Sequence, residues 1–122
     1  MYEVSVREHF DAAHYLRGYE GKCENLHGHR FEVMVTVRVQ DVDEIGIAYD
    51  FVALRGHLVE ILARFDHVCL NEIPPFDKVN PSSENIAVTI YGELQKRALP
   101  IAHVQVCEST DSCVTYIPGN AG

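Results

Sequence analysis

Apolar and polar residues alternate near the start of the chain. Tyr2, Val4 and Val6 interleave with Glu3, Ser5 and Arg7. The alternation is cleaner from Phe31, where Phe31, Val33, Val35, Val37 and Val39 stand against Glu32, Met34, Thr36, Arg38 and Gln40. A period of two sends successive side chains to opposite faces, so both segments are predicted strands with one buried face. The stretch between them, from Tyr15 to Lys22, holds Gly18 and Gly21 and reads as a loop. After Asp50 the period changes. Phe51, Leu54, Leu58, Ile61, Leu62 and Phe65 follow the three-and-four spacing of an amphipathic helix, with Asp50 as N-cap and an end near Asp66. Pro74, Pro75 and Pro81 hold the next stretch in a loop. Ser82 or Ser83 then caps a second helix carrying Ile86, Ile90 and Leu94 and stopped by Pro100. Two more strands are predicted, about Ile101 to Glu108 and Cys113 to Ile117, around the turn-like Ser109-Thr110-Asp111-Ser112.

The order β-β-α-α-β-β predicts an α+β fold: a four-stranded antiparallel sheet with two helices on one face. Such a sheet has two open edges, which favours pairing with further copies and hence a homo-oligomer. With 122 residues and no repeat or linker, the chain reads as a single domain over 1–122. Charge sharpens the picture. Ten Lys and Arg against 18 Asp and Glu give a net charge of −8, which disfavours nucleic acid and anionic membrane as partners. The longest uncharged stretch is the last eleven residues from Ser112, and the acidic start does not resemble an export signal, so a cytoplasmic protein with no membrane span is expected. In that setting Cys69, Cys107 and Cys113 are expected as small, reduced core residues rather than a disulfide framework.

Seven His in so short a chain are unusual. In Cys23-Glu24-Asn25-Leu26-His27-Gly28-His29, an extended backbone points His27 and His29 to one side, and Gly28 leaves room for close approach. An antiparallel return of the preceding strand would bring His14 beside them. Three imidazoles suit Zn²⁺ and leave a position open, the pattern of a catalytic centre. The competing reading is a chance pair of exposed histidines. Cys23 reads either as a thiolate activated by Lys22 or a metal, or as a fourth ligand that closes the site and makes the metal structural. Asp66 and His67 stand where a carboxylate could orient an imidazole for proton transfer, provided the helix ends there; otherwise His67 only meets the helix dipole. Glu108 ends an otherwise apolar or neutral strand and either enters a pocket or is solvated.

Taken together, Phe10-Asp11-Ala12-Ala13-His14, the Cys23 to His29 motif, Asp50-Phe51, Asp66-His67 with Leu70-Asn71, Pro81-Ser82-Ser83-Glu84-Asn85 and Glu108 resemble the 6-pyruvoyl-tetrahydropterin synthase family over nearly the whole chain. Within it, the likeness is to the 6-carboxy-tetrahydropterin synthases of queuosine biosynthesis. The resemblance implies a tunnelling fold, in which three sheets close into a barrel and two trimers stack into a hexamer with active sites between subunits. It implies His14, His27 and His29 as zinc ligands, Cys23 as thiolate base, Asp66 and His67 as acid-base partners, and Glu108 as the pterin anchor with Ser82 and Ser83 near the ring. The implied substrate is 7,8-dihydroneopterin triphosphate, cleaved to 6-carboxy-tetrahydropterin, acetaldehyde and triphosphate. Two related activities are alternatives: formation of 6-pyruvoyl-tetrahydropterin, and cleavage to 6-hydroxymethyl-dihydropterin, for which some relatives use a Glu where Glu24 stands. An alternative of another class is a non-catalytic zinc module. Arg17, Lys22 and Arg30 lie near enough to the motif to be candidate triphosphate cations.

Overall fold

The computed structural model describes residues 1–19, 21 and 24–119. Strand β1 (Tyr2–His14) and strand β2 (His27–Val39) form a long antiparallel hairpin, and helix α1 (Phe51–Leu62) follows. A two-residue strand β3 (Val68–Cys69), helix α2 (Ser83–Lys96), strand β4 (Ile101–Ser109) and strand β5 (Ser112–Tyr116) complete the fold. The sheet order is β3-β1-β2-β4-β5. The expected four antiparallel strands are present, but the sheet has a fifth: β3 pairs in parallel with Ala12 and Ala13 of β1. Two residues are too few to show a period, so β3 left no mark in the sequence pattern.

The alternation produces two unlike faces. Val6, Phe10 and Ala12 of β1, Phe31, Val33, Val35 and Val37 of β2, and Val104 and Val106 of β4 are buried. They meet Leu54, Leu58, Ile61 and Leu62 of α1 and Ile86, Ala87, Ile90 and Leu94 of α2. Phe10 stacks on Phe31 at 5.0 Å and leans on Phe65 at 6.0 Å, closing the core at the end nearest the strand turn. The other face carries Glu3, Ser5, Arg7, His9 and Asp11 of β1 with Arg30, Glu32, Met34 and Arg38 of β2, and no helix covers it. Each helix begins at its expected cap. Asp50 Oδ1 accepts the Val52 N–H at 2.8 Å, and Ser82 Oγ accepts the Asn85 N–H at 3.1 Å, each cap contributing about 1 kcal/mol. Phe51, counted from its spacing as part of the apolar stripe, is instead exposed.

The cysteine expectation needs correction. Cys107 and Cys113 face each other across the β4–β5 ladder and are joined as a disulfide, and Cys113 is exposed rather than core. Their partnership depends on the hairpin register, which spacing alone does not specify. Among the described residues Cys69 is a free thiol. No helix among the described residues is long and apolar enough to cross a membrane.

Candidate functional site

The hairpin register builds the histidine cluster. His14 lies opposite His27, and His29 sits opposite Ala12, one diagonal step away on the same face. All three side chains point to the helix-covered side, where the core ends at Phe31. The ring of Phe31 lies 5.1 Å from that of His14 and 5.6 Å from that of His29. The imidazoles are 4.5 Å (His14–His27), 4.7 Å (His27–His29) and 5.3 Å (His14–His29) apart, and one nitrogen from each lies within 4.8 Å of the others.

Two of the rings have their Nδ1 fixed by backbone carbonyls: His14 at 2.7 Å from the Pro81 oxygen, His27 at 2.6 Å from that of Asn25. A carbonyl can only accept, so both Nδ1 atoms carry the proton and both Nε2 lone pairs face the cluster. His14 is 1 % exposed, and its buried Nε2 has no hydrogen-bond partner among the described residues. An orphaned buried lone pair is costly unless a ligand meets it, so the donor set fits a metal ion bound by three neutral imidazoles. Burial, aided by the neighbouring imidazoles and partly opposed by the Pro81 carbonyl and Glu108, pushes the His14 pKa below its ordinary 6.5. The ring is therefore neutral, and ready to ligate, at neutral pH.

That shift has a sign for stability. Below about pH 6.5 the unfolded chain takes up a proton at His14 that the native chain refuses, so stability falls as pH falls toward the lowered native value. Chelator-treated protein is expected to show a lower urea midpoint at about pH 5.5 than at about pH 7.5, and His14→Gln should flatten this slope. An equal slope in the variant would remove His14 as its source.

Glu108, at the end of β4, faces the cluster. Its carboxylate oxygens lie 3.9 Å from His14 Nε2 and 3.8 Å from His29 Nε2, and Ser83 Oγ donates to Oε1 at 3.2 Å. The strand-end carboxylate is thus half-buried at a pocket rather than solvated. Ser82 spends its hydroxyl on the helix cap, so of the two serines Ser83 is the one in contact with Glu108.

Asp66 and His67 form a second group. Helix α1 and a single tighter turn end at Phe65, Asp66 is extended, and His67 takes φ 58°, in the left-handed region. That conformation costs a non-glycine residue about 1–2 kcal/mol. It brings two adjacent side chains together, with His67 Nδ1 2.9 Å from Asp66 Oδ2. Main-chain groups of Asp11 hold the pair: its N–H donates to Asp66 Oδ1 at 2.9 Å and its carbonyl accepts the His67 N–H at 2.6 Å. The Asp11 N–H, followed by His67, holds the Asp66 carboxyl below the usual carboxylate range. Among the described residues no hydrogen bond or ion pair joins this dyad to the histidine cluster.

Cys23 and Lys22 lie outside the described residues, whereas Glu24 is exposed. The other candidate cations are committed. Arg17 donates to the carbonyls of Val79, Asn71 and Phe76, and Arg30 pairs with Asp11 at 3.0 Å. Sequence reasoning predicted the loop that carries Pro81 but missed the main-chain roles of Asp11 and Pro81. Their signal is conformational, since what acts is a peptide group common to every residue.

This architecture is that of the tetrahydropterin synthases. It superposes on the structure of Caenorhabditis elegans 6-pyruvoyl tetrahydropterin synthase with a TM-score of 0.85 and 26% identity, covering 97% of this chain and 96% of that one. The chain belongs to the 6-pyruvoyl tetrahydropterin synthase family, whose sequence profile matches residues 3–118. It is 36% identical over 113 residues to a Synechocystis 6-carboxy-5,6,7,8-tetrahydropterin synthase, covering 88% of this chain and 86% of that one. It is also 34% identical over 131 residues to the Homo sapiens 6-pyruvoyl tetrahydrobiopterin synthase, covering 93% and 90%.

Proposed function

We propose that this protein is a zinc-dependent lyase. It converts 7,8-dihydroneopterin 3'-triphosphate and one water to 6-carboxy-5,6,7,8-tetrahydropterin, acetaldehyde and triphosphate, in queuosine biosynthesis. The observation that carries this reading is three histidines converging beside a half-buried carboxylate, in a protein similar to a synthase named for that product. His14, His27 and His29 would hold the zinc, which when bound supplies Lewis-acid stabilisation of charge developing on the hydroxyl oxygens of the substrate.

The remaining work falls to the protein's own groups. Glu108 accepts two N–H bonds from the pyrimidine edge of the pterin, selecting rings that present that donor pair, while Ser83 steadies the carboxylate. Ser82 fixes the start of α2 beside the ring. Cys23, placed by its motif, removes a proton from a carbon of the substrate's hydroxylated arm. His67, kept in one tautomer by ionised Asp66, relays a second.

The dyad serves the cluster of another copy. His67 borders an open depression with Asp11, Ala13, Gly28, His29 and Arg30, and among the described residues no hydrogen bond or ion pair links its ring to the cluster. A hexamer of two stacked trimers, closed through the free edges of β1 and β5, supplies the second copy.

Incubation of the zinc-loaded protein with 7,8-dihydroneopterin triphosphate, read by mass spectrometry, is expected to give the carboxy-pterin with acetaldehyde in equal amount. A pyruvoyl product without acetaldehyde would replace this reaction by that of the human relative. A hydroxymethyl-pterin would give Glu24 the leading role, and no turnover would leave a zinc module.

A further inference from the structure

The backbone just after the first histidine of the cluster is gripped by a loop more than fifty residues away. Two asparagines make the same contact on it. Asn71 Oδ1 accepts the Tyr15 N–H at 3.0 Å and its Nδ2 donates to the Tyr15 carbonyl at 3.0 Å. Asn80 does likewise to Arg17, with both bonds at 2.9 Å. Each side-chain amide stands in for a neighbouring strand. Both main-chain carbonyls also accept a side-chain bond, that of Asn71 from Arg17 Nη2 at 3.4 Å and that of Asn80 from Asn85 Nδ2 at 2.8 Å, but only Asn80 adjoins Pro81. The Asn80-Pro81 peptide is thereby held from the side of residue 17 and from helix α2, and the next carbonyl, that of Pro81, points at His14 Nδ1.

This carbonyl decides what His14 can do. At 2.7 Å from an atom that only accepts, Nδ1 must keep the ring's proton, which leaves Nε2 bare and aimed into the cluster. With the carbonyl displaced, the tautomer carrying Nε2–H becomes populated, and it cannot ligate through Nε2. Partners of this kind behind a ligating histidine alter metal affinity by about 10–100-fold.

We propose that Asn80 is a positioning residue for the metal centre: by fixing the Pro81 carbonyl it sets the tautomer of His14. The inference rests on the reading of the histidine cluster as a metal site, and is independent of which pterin is made.

The test is zinc affinity by competition with a chelator, together with nitrogen NMR of the His14 ring in metal-free protein above neutral pH. Asn80→Ala is expected to weaken zinc binding by about tenfold or more and to mix the His14 tautomers. Asn85→Ala, which removes only the bond to the Asn80 carbonyl, should shift both readouts the same way to a smaller extent; it serves alone if Asn80→Ala does not fold. Asn71→Ala removes a matching pair of bonds without touching Pro81. It should lower the melting temperature comparably while leaving zinc affinity within about threefold of wild type, well short of the effect expected from a lost metal-ligand partner. Wild-type affinity or an unchanged His14 tautomer in Asn80→Ala overturns the proposal, and so does an equal loss of affinity in Asn71→Ala. Failure of the wild-type protein itself to bind zinc overturns the metal site along with it.

Discussion

Cys23→Ala is expected to keep its zinc and its assembly while losing turnover by about 10²–10⁴-fold, the range that removal of a general base produces. On the proposed reading the three histidines form a ligand set without sulfur: two of their Nδ1 atoms are held by backbone carbonyls, and among the described residues the buried Nε2 of His14 has no hydrogen-bond partner. Three protein ligands leave a coordination position for substrate, which the chemistry requires. If Cys23 were a fourth ligand, the variant would lose metal along with activity, and the wild-type thiol would resist iodoacetamide until the metal was withdrawn. Measuring zinc content and turnover on the same preparation separates the two. Near-full activity in the variant would dismiss the thiol as base.

The second large effect is expected at His27. His27→Ala should lose zinc and turnover together, with a rate loss of at least about 10³, since Lewis-acid stabilisation is worth several kcal/mol. The ring is only half-buried and its Nδ1 bond is to a near neighbour, the Asn25 carbonyl, so the hairpin should survive the change. His14 is a poorer probe: it is buried against Phe31 and tied to Pro81, and its removal would also leave a cavity. Unchanged zinc content in His27→Ala would take this residue out of the ligand set. Turnover surviving without zinc would instead show that the metal is not needed for the reaction.

Most of the architecture was legible because it is local and periodic. The period of two in β1 and β2, the three-and-four spacing in α1 and α2, and the caps at Asp50 and Ser82 are each specified within a few residues. The two-residue β3 carries no period, and Phe51 shows that a residue can sit on the apolar stripe of its helix and still lie beyond the edge of the core.

Pattern and motif alone were enough for the α+β class, the strand and helix faces, the motif that holds the histidines and, through several spaced motifs, the family. The tertiary structure decided how the side groups are aimed. His14 obtains its tautomer from the Pro81 carbonyl, Asp66 its ionisation first from the Asp11 N–H, and Cys107 its partner from the β4–β5 register. The reason is physical. Peptide groups are chemically the same at nearly every position, so a sequence does not mark which of them will meet a given residue. That pairing is settled only when the long-range register and the loop between β3 and α2 are in place.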